Sequence, residues 1–120
     1  MFLAGGAGIT PFLSILKSLE KKNAIEGNSL VFANKTTKDI FYKERLDTLL
    51  GRHYLNILSQ EKTKDYPNGR IDKPFLQSMI TNVSRYFYVC GPPKMTEAIV
   101  EHLSDLGVVE EKIVTENFKD

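Results

Sequence analysis

The 120-residue sequence contains a single cysteine, two histidines, no tryptophan and almost no net charge, with 16 Lys plus Arg against 15 Asp plus Glu. One cysteine excludes an intramolecular disulfide. With only two histidines beside it, the chain also falls short of the four ligands of a closed zinc site. The expectation is no metal and a reducing, cytoplasmic setting. A formal charge of +1 lacks the basic footprint of a nucleic-acid binder, so no nucleic-acid partner is expected. No stretch approaches the roughly 20 apolar residues needed to span a bilayer. A secretory signal is not expected either, because the basic n-region is missing and Gly5, Gly6 and Gly8 interrupt any apolar core. The length accommodates one domain, 1–120, and not a second. At 42% apolar and 26% charged residues, the composition is that of a soluble globular domain rather than a disordered chain.

What is present alternates between strand and helix, the pattern of a parallel sheet with helices on both faces. Phe2 to Ala4 reads as the end of a strand running into a Gly-rich turn. Pro11 then opens a helix whose apolar face carries Phe12, Ile15, Leu16 and Leu19. Asn28 to Asn34 suits a strand buried on both faces. A short helix from Asp39 carries Ile40, Leu46, Leu49 and Leu50 and ends at Gly51, and His53 to Leu58 forms a third strand. The polar segment from Gln60 to Arg70 is a solvated loop. Asp72 caps a helix bearing Phe75, Leu76, Met79 and Ile80, with Pro74 in its first turn. Arg85 to Cys90 is a strand, and Met95, Ile99, Leu103 and Leu106 line a helix that stops at Gly107. Lys112 to Phe118 closes the domain as a fifth strand. The expected fold is a doubly wound α/β domain with a five-stranded parallel sheet.

In such sheets ligands bind beyond the carboxyl ends of the strands, where strand order reverses. Two Gly- and Pro-rich segments stand at strand ends. In Gly5-Gly6-Ala7-Gly8-Ile9-Thr10-Pro11 the glycines allow close backbone approach. The following helix start offers free N–H groups and a positive dipole end to a pyrophosphate, and Thr10 adds a hydroxyl. The segment is neither a P-loop, since no Lys-Ser or Lys-Thr follows, nor the dehydrogenase fingerprint, since Pro11 stands where the third glycine belongs. By itself it also reads as a tight strand–helix turn without a ligand. The second segment is Cys90-Gly91-Pro92-Pro93-Lys94-Met95, where Gly91 again permits close approach and Cys90 offers a small polarizable side chain at the mouth of the sheet.

AGGAGITPF at 4–12, ANKTTKDIFYKERL at 33–46, Gly69-Arg70-Ile71, YVCGPPKM at 88–95 and TENF at 115–118 resemble the pyridine-nucleotide-binding domain of the ferredoxin-NADP⁺ reductase family, in that family's order and over essentially the whole chain. Flavodoxin reductases, cytochrome b5 reductases and oxygenase reductase components share the pattern. The resemblance implies that Gly6, Gly8, Thr10 and Pro11, with Gly5 beside them, line the pyrophosphate of NADH or NADPH. It places Asn34, Lys35 and Thr36 near the adenosine ribose, and Cys90, Gly91, Pro92 and Met95 at the nicotinamide. Cys90 and Glu116 are implied to orient the nicotinamide, and Phe118 to cover the flavin. NAD-selective sites usually carry an acid after the second strand. Asn34-Lys35 stands there instead, which tilts the expectation slightly toward NADPH.

The implied activity is hydride transfer from NAD(P)H to FAD and onward electron transfer to a protein acceptor such as ferredoxin, flavodoxin or an oxygenase. The family holds FAD mainly on an N-terminal β-barrel domain, which is not expected within this chain. Retention of FAD by the chain alone is therefore not expected. Two other readings stay open: a non-catalytic nucleotide-binding or interaction module working with a separate flavin-bearing partner, and a fragment of a short dehydrogenase.

Overall fold

The computed structural model describes residues 1–117. Five strands, β1 (Phe2–Gly5), β2 (Leu30–Asn34), β3 (Tyr54–Leu58), β4 (Phe87–Gly91) and β5 (Ile113–Asn117), pair in parallel in the order β3-β2-β1-β4-β5. Four helices, α1 (Ile9–Lys21), α2 (Lys43–Leu50), α3 (Lys73–Met79) and α4 (Pro93–Asp105), cover the sheet. Side chains alternate across a strand, so β1 feeds both cores: Phe2 and Ala4 pack with α1 and α2, and Leu3 packs with α3 and α4. All three are buried, as befits a central parallel strand. The doubly wound, five-stranded parallel sheet expected from the alternation of elements is the observed fold.

Local chemistry sets the helix ends. The Asp72 carboxylate accepts from the Phe75 N–H at 2.9 Å with Pro74 in the first turn, the expected N-cap of α3. At the end of α4, Gly107 takes φ +100°, Val108 N–H donates to the Leu103 carbonyl at 3.0 Å and Gly107 N–H to that of Ser104 at 3.1 Å, a Schellman closure. Helix α1 begins two residues before Pro11, because the 3-10 turn Gly6–Gly8 runs directly into it. Pro11 still falls in the first turn, where its missing N–H costs nothing. Ile15 is largely exposed, and Leu13 takes the inner position instead. Strand β2 starts at Leu30 rather than Asn28, whose amide is occupied by the carbonyls of Ala24 and Ile25.

The helix expected from Asp39 is interrupted. Residues Thr37–Asp39 form a 3-10 turn, Ile40 is extended, Tyr42 is left-handed at φ 59°, and α2 starts only at Lys43. The cause is local: the Asp39 carboxylate turns back to accept from the Thr36 N–H (3.1 Å) and hydroxyl (3.0 Å), a capping box that fixes a short turn. His53 likewise ends a 3-10 turn, Gly51–His53, rather than opening β3.

Candidate nucleotide-binding cleft

Strand order reverses at β1, which has β2 on one side and β4 on the other. Parallel strands place all their carboxyl ends on one rim, so the loops after β1, β2, β3 and β4 meet there. A cleft of about 630 Å³ opens on that rim. Its floor is Gly5 and Gly6 from β1 and the turn after it; Ala33 and Asn34 end β2, Lys35, Asp39 and Phe41 follow it, and Ser59 and Gly69–Asp72 follow β3. The opposite wall is Pro92 and the start of α4, with Lys94, Ala98 and His102 forming a stripe at four-residue spacing.

The glycines earn different explanations. Gly6 sits at φ +52° with open space where a Cβ would project, so it both makes the left-handed turn and leaves the floor clear. Gly5 and Gly91 lie under the Met95 thioether, which a Cβ on Gly5 would overlap. Gly8 does not face the cleft: its Cα lies against the Cys90 carbonyl, and a Cβ there would penetrate the β4 backbone. Gly8 is thus required at the crossing of the β1–α1 turn with β4.

The other anticipated residues divide between two faces. Gly5, Gly6, Asn34, Lys35, Pro92 and Met95 line the cleft. Thr10 and Pro11 are in the first turn of α1 and outside its lining, and Thr36 spends its hydroxyl on the Asp39 turn. Cys90 is buried in the core formed with α1 and α2 rather than standing open at the mouth, because the Gly8–Ile9 segment closes over that end of β4. Cys90 is paired in register with Glu116 on β5, so the two side chains share the α1 face of the sheet. Burial, with the Glu116 charge added, pushes the Cys90 thiol up to about 11 from an ordinary 9.0. Phe118 lies outside the described residues.

Asn34 is nine-tenths buried, and its Nδ2 has no hydrogen-bond partner among the described residues. A buried amide left unpaired costs about 1–3 kcal/mol, which leaves Asn34 Nδ2 a donor available at the cleft. Asp39 went unrecognised in the sequence. One carboxylate oxygen, Oδ2, takes both Thr36 donors, and Oδ1 has no partner among the described residues. The Thr36-x-x-Asp39 spacing was the available signal, since Thr followed three positions later by an acid marks a cap. Lys94 and His102 were equally silent, becoming cleft residues only when α4 folds against β4. Among the described residues no cluster of three His, Cys, Asp or Glu could hold a metal ion, and no helix is long and apolar enough to cross a membrane.

The donor set fits a dinucleotide. Exposed Lys35, Arg70 and Lys94 ring the cleft with positive charge suited to phosphates, Asp39 offers an acceptor to ribose hydroxyls, and the glycine floor lets a ligand lie on backbone. Comparison with known proteins agrees with this chemistry. Residues 2–101 match the family described as oxidoreductase NAD-binding domain. NADH-cytochrome b5 reductase 1 of Dictyostelium discoideum is 36% identical over 121 residues, a match covering 94% of this chain and 42% of that protein. The flavohem-like FAD/NAD-binding domain of Vibrio cholerae nitric oxide dioxygenase superposes with a TM-score of 0.88 at 26% identity, over 98% of this chain and 49% of that one. A Neisseria gonorrhoeae ferredoxin NADP⁺ reductase with bound FAD and NADP shares the fold, with a TM-score of 0.82 at 22% identity, over 97% of this chain and 54% of that one. The chain thus spans less than half the length of curated relatives it matches.

Proposed function

The chain belongs to the oxidoreductase NAD-binding domain family of ferredoxin-NADP⁺ reductase-type enzymes, and from that premise we propose that it positions NAD(P)H for a flavin held by a companion domain or subunit. The observation that carries the proposal is the cleft at the strand-order reversal, with its glycine floor and cationic rim. When bound, the nicotinamide and FAD supply the redox chemistry, hydride passing from nicotinamide C4 to flavin N5 and electrons leaving to a protein acceptor.

The chain's own residues bind and orient. Gly5 and Gly6 let the dinucleotide backbone lie against β1, Lys35, Arg70 and Lys94 offset phosphate charge, and the Asn34 amide gains a partner on the ribose side. Met95 packs over Gly5 and Gly91 and lines the cleft beside the end of β4. Cys90 acts as a neutral thiol, since burial holds it protonated at physiological pH and withholds the thiolate that nucleophilic chemistry needs. Glu116 stands exposed on β5 beside it. On that same face, among the described residues, no helix covers the β4–β5 edge, where Tyr86 and Val114 are about half exposed. This is the surface offered to the flavin-bearing half.

Asp39 reverses the preference that Asn34-Lys35 suggested. An acid aimed at the adenosine ribose accepts from its hydroxyls and repels a 2′-phosphate, so the site favours NADH over NADPH. Asp39→Ser is expected to bring the two affinities together by weakening NADH and strengthening NADPH, a combined shift of about tenfold or more. Titration of the purified chain with both nucleotides checks this. An unchanged ratio removes Asp39 from discrimination, and no saturable binding of either nucleotide overturns the proposed function.

A further inference from the structure

We propose that Glu61, a residue outside the cleft, is a positioning residue for nucleotide discrimination: from the loop after β3 it holds the turn that aims Asp39. The inference rests on the role of Asp39 proposed above.

The turn Thr37–Asp39 is three residues long, too short to be stable through its own bonds. Its capping box ties Thr36 to Asp39 but does not fix the turn relative to the cleft, because both partners belong to the same segment. The external anchor comes from 24 residues away: the Thr37 N–H donates to Glu61 Oε1 at 2.7 Å. A short bond from an N–H to a carboxylate is of the stronger, charge-assisted kind. The same acid sits at the N-terminal end of the turn, where a negative charge suits the exposed N–H groups.

The sheet register dictates where Glu61 stands. Beyond the ends of β2 and β3 the parallel ladder continues, with Ser59 N–H donating to the Asn34 carbonyl and Gln60 N–H to that of Lys35, both at 2.9 Å. The next residue on this path is Glu61, brought beside the segment that follows Lys35. Its backbone is pinned in turn by Asn68, whose Nδ2 donates to the carbonyls of Glu61 and Leu58 at 3.0 Å each. A held backbone and a half-buried carboxylate thus grip the turn from the neighbouring strand. On the far side of the turn, Asp39 Oδ2 is saturated by Thr36, and Oδ1 is left for a ligand. Removing Glu61 leaves the Thr37 N–H without its acceptor and frees the whole turn, Asp39 included, to rotate out of line. Glu61 is absent from the cleft lining, so its effect passes through Asp39 and not through contact.

The test compares Glu61→Ala, Glu61→Gln and Asp39→Ser in the 120-residue chain. NADH and NADPH affinities are measured by titration, and the Thr37 and Asp39 amide resonances are followed in each variant. Glu61→Gln keeps an acceptor oxygen without the charge. The expected result is a fall of roughly five- to tenfold in NADH-over-NADPH preference for Glu61→Ala, a smaller fall for Glu61→Gln, whose neutral oxygen makes the weaker bond, and a larger movement of the Asp39 amide in the alanine variant than in the glutamine variant. If Asp39→Ser shifts the preference and Glu61→Ala does not, the positioning role is overturned and that of Asp39 stands. Equal loss in the glutamine and alanine variants with the Asp39 amide unmoved means that the Glu61 charge acts on the nucleotide and not through the turn, and this also overturns positioning. If Asp39→Ser shifts nothing, both roles fall. Should the alanine variant not fold, the glutamine variant decides: a partial fall in preference with a moved Asp39 amide supports positioning, and an unchanged preference contradicts it.

Discussion

Gly8→Ala is expected to destabilise the domain by roughly 2–4 kcal/mol, the range for steric overpacking against an unyielding neighbour. The added Cβ would lie inside the Cys90 carbonyl, and what it meets is strand backbone, which cannot rotate away. Relief requires moving either the β1–α1 turn or β4, and both are anchored. Cys90 is paired with Ala4 and Glu116 on the two adjacent strands, and Ile9 and Phe12 of the helix that follows the turn are buried. Gly5→Ala makes the informative contrast. Its Cβ would meet the end of the Met95 side chain, which can swing aside, so its stability cost is smaller while the floor of the cleft is partly filled. Thermal melts of the two variants separate the cases. A drop of about 10 °C or more is expected for Gly8→Ala, and a midpoint close to wild type would show that the crossing is looser than described.

The second large effect concerns Cys90 and alkaline pH. With its thiol raised to about 11 from 9.0, the folded protein binds the thiol proton more tightly than the unfolded chain does. The corresponding stability is fully present below the unfolded value and is lost as pH rises through the folded one. Folding stability should therefore decline between about pH 9 and pH 11, by roughly 2–3 kcal/mol from this group alone. Cys90→Ser, whose hydroxyl does not titrate in that window, should flatten the decline. The same shift leaves on the order of a hundredfold less thiolate than in a free cysteine at neutral pH, and burial restricts access further. Alkylation by iodoacetamide at pH 8 should accordingly be slower than for a denatured control by at least that factor. Rapid labelling of the native chain would contradict a closed, neutral thiol. In a flavin-containing form, Cys90→Ala should slow flavin reduction more than it weakens nucleotide binding, and equal reduction rates would remove Cys90 from the mechanism.

Much of the fold was legible because its signals are local. Asp72-x-Pro74 marks a helix start, Gly107 marks a helix end, and LVF at 30–32 is too apolar for anything but a buried strand. The cleft lining was legible in the sequence at Gly5-Gly6 and at Pro92. Three features were not, each for a physical reason. The crowding that demands a glycine at Gly8 comes from Cys90, 82 positions away in sequence. Asp39 looked like the start of a helix, because the period of Leu46, Leu49 and Leu50 extends back to Ile40, whereas its carboxylate is captured by Thr36 before a helix can form. Glu61 sat in a polar loop with nothing to distinguish it from Lys62 or Lys64. Its role exists only once β2 and β3 are in register.

The central claim is that the cleft at the carboxyl ends of the strands is where this chain holds a nicotinamide dinucleotide. The most direct measurement is a titration of the isotope-labelled chain with NADH, followed by backbone amide resonances. The account predicts saturable shifts in Gly5 and Gly6, Asn34 to Asp39, Gly69 to Asp72 and Gly91 to Met95, with the opposite rim around Asn28, Ser29, Thr81 and Asn82 unmoved. Shifts that concentrate on that opposite rim, or no saturable shift at millimolar nucleotide, would contradict it.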